Sequence, residues 1–519
     1  MLLPASIFFA SWLVLVITAP GIPLVWDESE YLFRTGHILE WFRVWPIDLS
    51  HDAIRRHWLF INYTEGHPAG FAIPIALSRW LASPFLDPLT AARLGPMTLF
   101  SAACAAIAVR LKKDYGTGAA IVAPVTLLTF PRIFSEAHFA TQDGQLTAWW
   151  LMLWALQSTP ARGVGITVAL GLVLGMTTAT KFTGWLAWGP TLLSEAIKGK
   201  VAAYRVPIIV MVALLAFYAV NPPLWYEPIS ALNEHFRRSL DRAHTYNIST
   251  LFLGSLYNVQ RPLPWYNTIV WLAFATPVPT LALGLVGLWH CLARRTPASL
   301  MLLLHWITLM VVRALPGAPP HDGIRLFLPA FGFWCVLAGI GAQAAFNAIA
   351  AIEVVLWRRV LGSILVTALL GSAVNLARYY PQTLSHYNLL AGGLRGAADK
   401  GMEPAYWWDA LDNDVLSWLN RNTGTDESIA FSPGNLNMLG PWGRLRPKGV
   451  NPEKETFKWY VLQNRPGMFT RTDRALMRRE KPVFVKYAGR RGARQKLPED
   501  LNVPLISVFS FDQYRRNRR

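Results

Sequence analysis

The chain has 519 residues, of which 53% are hydrophobic and only 15% charged, with a mean hydropathy of +0.28. That balance excludes a soluble globular domain of this size and indicates an integral membrane protein. A net charge of +18 raises nucleic acid, but Lys and Arg fall in short clusters between apolar runs and in the C-terminal tail. No recognition motif accompanies them, so membrane topology is the simpler account.

The first apolar run begins at Met1 and has neither a basic n-region nor a small-x-small cleavage site before Trp26, so it reads as a retained helix. A helix crossing a bilayer needs about 20 apolar residues. Spans are expected over 3–25, 93–110, 117–133, 145–159, 163–180, 182–197, 205–221, 267–290, 298–315, 326–349 and 359–377, about eleven in all. With a cytoplasmic amino terminus, Arg110, Lys112, Lys113, Lys198, Lys200, Arg205, Arg294, Arg295, Arg358 and Arg359 all fall on the inner side. This alternation requires that 68–85, apolar but interrupted by Pro68, Pro74, Arg79 and Pro84, lie in the interface rather than cross.

The external face then collects the loops 26–92, 131–145, 221–266 and 313–325 and the tail from about residue 378. In the tail, 482–487 and 503–511 read as strands and 408–420 as a helix, which predicts a small α/β or α+β lobe. The predicted fold is an α-helical polytopic membrane protein, with a transmembrane module over 1–377, interfacial helices in its first external loop, and an external domain over 378–519. The basic end, residues 515–519, reads as a solvated tail. Cys104, Cys291 and Cys335 are widely separated and form neither a disulfide framework nor a metal cage.

Asp27 and Glu28 directly follow the first apolar run. Carboxylates there can take a proton from an incoming hydroxyl or amine or hold a divalent cation, and they can equally mark a helix end in water. His67, within 65–70, can bind phosphate or assist a metal, although an interfacial His is more often bland. Glu136, His138 and Asp143 have the ligand types for a divalent ion without a diagnostic spacing. Lys181, Arg261, His321 and Arg325 are suited to a phosphate; an Arg at such an edge either clamps it with two hydrogen bonds or snorkels to head groups. Each has a bland reading alone, yet all fall on the external side. Aromatic clusters at 225–226, 265–266 and 406–408 can stack on sugar rings, although interfacial anchoring is the commoner use of Trp and Tyr.

Taken in order, Asp27-Glu28 with Tyr31, His67-Pro68, Asp143 at the head of a span, Pro264-Trp265-Tyr266, Arg325 with Leu328-Pro329, and the run 387–393 form a familiar series. The chain resembles the GT-C-type glycosyltransferases that use polyprenyl-phosphate sugars, similar to the protein O-mannosyltransferases and the lipid A aminoarabinose transferase. The resemblance covers roughly residues 1–420 and departs at Ala69, where a second proline is usual.

It implies an inverting transferase that moves a sugar from a polyprenyl-phosphate donor to a lipid, glycan or protein acceptor, on the outer side of a bacterial inner membrane. Asp27 would be the acceptor-side base, with Glu28 and Asp143 in support. Tyr31, His67, Lys181, Arg261, Tyr266, His321 and Arg325 would bind substrate, with no cofactor certain and a divalent metal ion left open. The rival readings are a transporter or lipid flippase, for which the expected inverted repeat between halves is not visible, and a non-catalytic scaffold, which leaves the polar loops unexplained.

Overall fold

The computed structural model describes residues 2–58, 67–159, 163–197, 205–245, 247–407, 409–434, 445–489 and 498–518. Glu65, Gly66, Lys198, Lys200 and Trp408, which entered the reading above, lie outside the described residues.

Among the described residues, five helical segments are long and apolar enough to cross a membrane: Leu2–Gly21, Pro88–Asp114, Pro297–Ala314, Arg325–Ala350 and Val355–Tyr379. A sixth is the bent pair Thr117–Thr129 and Pro131–His138. Shorter apolar helices stand at Ala72–Ala82, Val164–Thr180, Arg205–Ala219 and Val278–Arg294. The chain is therefore a polytopic helical membrane protein, and several expected spans are shorter or more broken than a hydropathy reading suggests.

Proline accounts for two of the breaks. Phe130 is extended (φ −81, ψ 107) because the following Pro131 disfavours the helical region, and the chain resumes as Pro131–His138 after turning by 79°. The expected span 267–290 divides in the same way into Asn267–Ala275 and Val278–Arg294, with Thr276 extended before Pro277. Likewise 182–197 is a 3-10 turn, Phe182–Ala187, leading into the short helix Trp188–Ile197.

The segment that must not cross for the topology to work is Ala72–Ala82, an eleven-residue helix. It is roughly 16 Å long, about half the hydrocarbon thickness. It packs against Trp26–Arg43 and Pro88–Asp114, and Ser78 Oγ donates to Ala92 O at 3.1 Å.

The axis of the bundle is Arg325–Ala350, in which 89% of the residues of its apolar 18-residue stretch are buried, against 6% for the peripheral Val355–Tyr379. Small residues bring Val278–Arg294 against this axis: a Cβ on Gly287 would meet Leu337 O at 1.9 Å, and one on Gly341 would meet Leu283 O at 2.0 Å. In a bilayer, where apolar side chains gain little by leaving lipid, such backbone approach is a principal source of helix association. At one end of the bundle Tyr115 meets Ser299 and His290, which gathers the basic residues 110–113 and 294–295 there. The opposite end carries the charged groups described below.

A short antiparallel hairpin, β1 (Thr250–Phe252) and β2 (Ser255–Tyr257), interrupts the helices. Beyond Tyr379 the chain forms a five-stranded mixed sheet in the order β4-β3-β5-β7-β6, from β3 (Ser428–Ser432), β4 (Lys448–Val450), β5 (Trp459–Gln463), β6 (Phe484–Lys486) and β7 (Ile506–Ser510). β3 runs parallel to β4 and β5, and β7 runs antiparallel to β5 and β6. The expected helix at 408–420 is Asn413–Asn422, because the Asp412 side chain caps it by accepting from the Asp414 and Val415 amides at 3.1 and 3.2 Å.

Candidate active site

Helix ends deliver the first charges. Asp27 lies in the first turn of Trp26–Arg43, and Asp143 in the first turn of Gln142–Gln157, where the helix dipole favours a negative group. Lys181 is the extended residue that ends Val164–Thr180, and Arg325 opens the 3-10 turn Arg325–Phe327 before Leu328–Ala350. Gly144 makes the close approach: a Cβ there would meet Glu136 O at 2.0 Å, so only glycine lets the head of this helix sit against Pro131–His138.

Arg325 is the hub. Its Nε donates to Asp143 Oδ2 at 2.9 Å, one Nη to Asp322 Oδ2 at 2.6 Å, and the other Nη to Asp27 Oδ2. The guanidinium also lies over the Trp407 ring, 3.6 Å from its centroid. The planar five-donor fork of arginine suits this division among three carboxylates, which a lysine ammonium cannot copy. Asp143 is shared, because its other oxygen accepts from Lys181 Nζ. Asp27, 24% exposed, is the most open of the three carboxylates.

A second layer comes from the C-terminal region. Arg465 Nη2 donates to Asp322 Oδ1 at 2.9 Å, and its Nε lies 3.4 Å from Glu403 Oε2. Glu403 Oε1 accepts from the Leu251 and Gly467 amides at 3.2 and 3.1 Å. Burial pushes the Asp322 carboxyl up, but Arg465 and Arg325 outweigh it and hold the group well below the usual carboxylate range. For Glu403, burial prevails over Arg465, and the carboxyl is pushed up to about 7. The folded protein then binds a proton at Glu403 that the unfolded chain has already released, so stability falls as pH rises from about 4.5 to about 7. Glu403→Gln is expected to flatten that part of a melting-temperature profile against pH.

Beside the hub opens a small cleft, lined by Arg132, Glu136, Asp322, Ile324, Arg325, Leu384, Tyr406 and Trp407. Trp407 adopts φ +51, uncommon for a bulky side chain, and its carbonyl accepts from the Trp26 amide at 3.1 Å. That bond ties the rim of the cleft to the turn that carries Asp27.

The predicted residues divide sharply by position. Asp27, Asp143, Lys181 and Arg325 form one ionic network. Glu28, adjacent in sequence to Asp27, points elsewhere: it is fully buried and paired with Arg93 at 2.6 and 2.7 Å, also accepting from the Ala140 amide at 2.8 Å. Tyr31 is buried edge-on against Phe71, with ring centroids 4.8 Å apart.

His67 is buried at the start of a segment held near the network. The Ala69 amide donates to Asn221 Oδ1 at 2.6 Å, Gln145 Nε2 donates to Phe71 O at 3.1 Å, and Gly70 abuts Ala179, two residues before Lys181. His321 is half-buried, and desolvation pushes its imidazole down to about 3. It is neutral at pH 7, so it cannot supply the positive charge expected of it.

Arg261 and Tyr266 are exposed. Arg261 stacks over Tyr257 of the hairpin, 5.2 Å from the ring centroid, and Tyr266 lies edge-on to Trp265. No contact of either with the network is seen among the described residues.

Asp322, Arg465, Glu403 and Arg132 were not singled out from the sequence. Asp322 had the nearest thing to a signal, lying three residues before Arg325 and next to a glycine. Arg465 and Glu403 lie in stretches with no recognisable pattern.

Among the described residues, no group of three or more His, Cys, Asp or Glu is arranged to hold a metal ion. Of the carboxylates that sequence offered to a divalent cation, Asp27 and Asp143 are held by the Arg325 guanidinium and Glu28 by that of Arg93.

No family model matches the chain, and no curated protein is similar to it in sequence. Solved structures do match. ArnT from Cupriavidus metallidurans in the apo state aligns over 98% of this chain and 97% of its own, with a TM-score of 0.51 and 15% identity. The Archaeoglobus fulgidus oligosaccharyltransferase, solved with Zn and sulfate, aligns over 88% of this chain and 68% of its own, with a TM-score of 0.50 and 10% identity. At such identities the likeness speaks to architecture alone, and the chain has the fold of the GT-C glycosyltransferases.

Proposed function

We propose that this protein is an inverting membrane glycosyltransferase, which moves a sugar from a polyprenyl-phosphate donor to a hydroxyl or amine acceptor at the external face of a bacterial inner membrane. One observation carries the reading: three carboxylates share a single arginine at the edge of a cleft, and the most exposed of them is Asp27. The transferase names of the two structures of like fold agree with it.

Transfer needs a base on one side of the anomeric carbon and stabilised negative charge on the other. Asp27 takes the proton of the acceptor as its oxygen or nitrogen forms the new bond to that carbon. The bond from the carbon to the phosphate oxygen breaks, and its electron pair leaves with the phosphate. Arg325 and Lys181 supply the charge that receives it. The Nη of Arg325 that donates to Asp27 is the one a donor phosphate would compete for. That exchange frees an Asp27 oxygen for the acceptor when the phosphate arrives. Glu28 serves the site by fixing the turn that carries Asp27.

The test is transfer or hydrolysis of radiolabelled polyprenyl-phosphate sugars by the purified protein in detergent. Asp27→Asn is expected to lower kcat by about 100-fold or more, the usual scale for removing a general base. Activity of this variant equal to the parent, or no turnover with any donor, overturns the reading.

A further inference from the structure

We propose that Arg132 and Glu136 form the subsite that holds the transferred sugar, by hydrogen bonds to a pair of its hydroxyl groups; this rests on the transferase reading above. Both residues belong to Pro131–His138, the helix that Pro131 turns sideways beneath the charged network. Four residues apart, they share one face of it. Both line the cleft, and both are almost wholly buried, Arg132 at 3% and Glu136 at 2% exposure.

Each nevertheless has a polar atom that no group among the described residues satisfies. Arg132 donates through Nε to His386 O at 3.1 Å, and its guanidinium is enclosed by Trp271, Tyr387 and Tyr406, 4.7–5.3 Å from their ring centroids, yet one Nη has no partner. Glu136 Oε2 is likewise without one, although an arginine stands one turn away on the same helix. Buried polar atoms are nearly always paired, so two orphans facing one cleft ask for a ligand.

The chemistry of the pair selects among ligands. A phosphate satisfies the Arg132 donor and leaves the Glu136 oxygen unpaired; an ammonium group does the reverse. A hydroxyl both donates and accepts, so neighbouring hydroxyls on a ring satisfy the two side chains together. The remaining lining suits the rest of a sugar, with Tyr406 and Trp407 offering aromatic surface and Ile324 and Leu384 apolar contact. The site beside it, built on Arg325 and Lys181, already accounts for the phosphate. The sideways helix therefore places the sugar-reading groups and the phosphate-reading groups on adjoining walls.

Equilibrium binding to the full-length protein in detergent separates these roles. The probes are bare decaprenyl phosphate and decaprenyl phosphate carrying mannose, glucose, galactose or arabinose. Arg132→Lys, Glu136→Gln and Glu136→Asp are expected to weaken the best-bound sugar lipid roughly 10- to 100-fold, the scale of a lost hydrogen bond to a charged group. Binding of the bare lipid phosphate is expected to stay within about twofold, which also certifies that the variants fold. An equal loss for both lipids reassigns the pair to the phosphate, and no loss for either, or a parent that gains nothing from any sugar, overturns the subsite. A parent that binds neither class of lipid overturns instead the transferase reading on which the subsite rests.

Discussion

Replacing Arg325 by lysine is expected to lower kcat/KM for transfer by at least about 100-fold while leaving the protein folded. The size follows from removing a preorganised donor aimed at developing charge, which costs on the order of 100- to 1000-fold. Lysine keeps the charge, but it offers one compact ammonium where three carboxylates and the face of Trp407 are arranged around a planar fork. The fold survives because each carboxylate released from Arg325 has another recourse. Asp143 keeps Lys181, Asp322 keeps Arg465, and Asp27 is open to water. A melting temperature close to that of the parent, with transfer nearly abolished, is the expected pair of results. Transfer within about threefold of the parent means that Arg325 does not receive the leaving group.

The ends of apolar runs were where sequence spoke most clearly. A charge directly beside a membrane helix stands out because few residues there are charged, and Asp27, Asp143, Lys181 and Arg325 were all found on that signal. Their mutual contacts close over long stretches of chain, 298 residues between Arg325 and Asp27 and 182 between Arg325 and Asp143. No local pattern encodes such a meeting; what predicted it was the alternation of basic loops, which assigns helix ends to one face.

The same rule cannot tell a charge that faces the cleft from one that faces protein. It gave Asp27 and Glu28 one shared environment, although the helical rotation of one residue sends them to different ones. Nor can it weigh a break: Pro131 and Pro277 were visible in the sequence, but not the turn of 79° after which Arg132 and Glu136 share one short helix beside the cleft. Arg465 remained hidden for another reason, because it reaches the network from the loop after β5, 143 residues beyond Asp322.

Glu28 is expected to behave as the opposite of Arg325, with a large effect on stability. Its side chain and that of Arg93 are both 0% exposed, joined by hydrogen bonds of 2.6 and 2.7 Å. Glu28→Ala leaves the guanidinium buried without its counter-charge, a loss of roughly 3–5 kcal/mol for pairs of this kind. Apolar replacement of both partners often restores stability in buried ion pairs, but here it is not expected to. Arg93 also donates to the carbonyls of Ala19, Ile22 and Pro23 at 3.3, 2.8 and 2.7 Å, and Glu28 accepts from Ala140 N. The double variant Glu28→Leu with Arg93→Leu would strand the Ile22 and Pro23 carbonyls and the Val25 and Ala140 amides. Ile22, Pro23 and Val25 belong to the irregular segment between the 3-10 turn Ala19–Gly21 and Trp26–Arg43, so the pair is what fixes the approach to Asp27. Melting curves in detergent are expected to place both single variants and the double variant well below the parent, and a double variant as stable as the parent would show that the pair contributes charge balance alone.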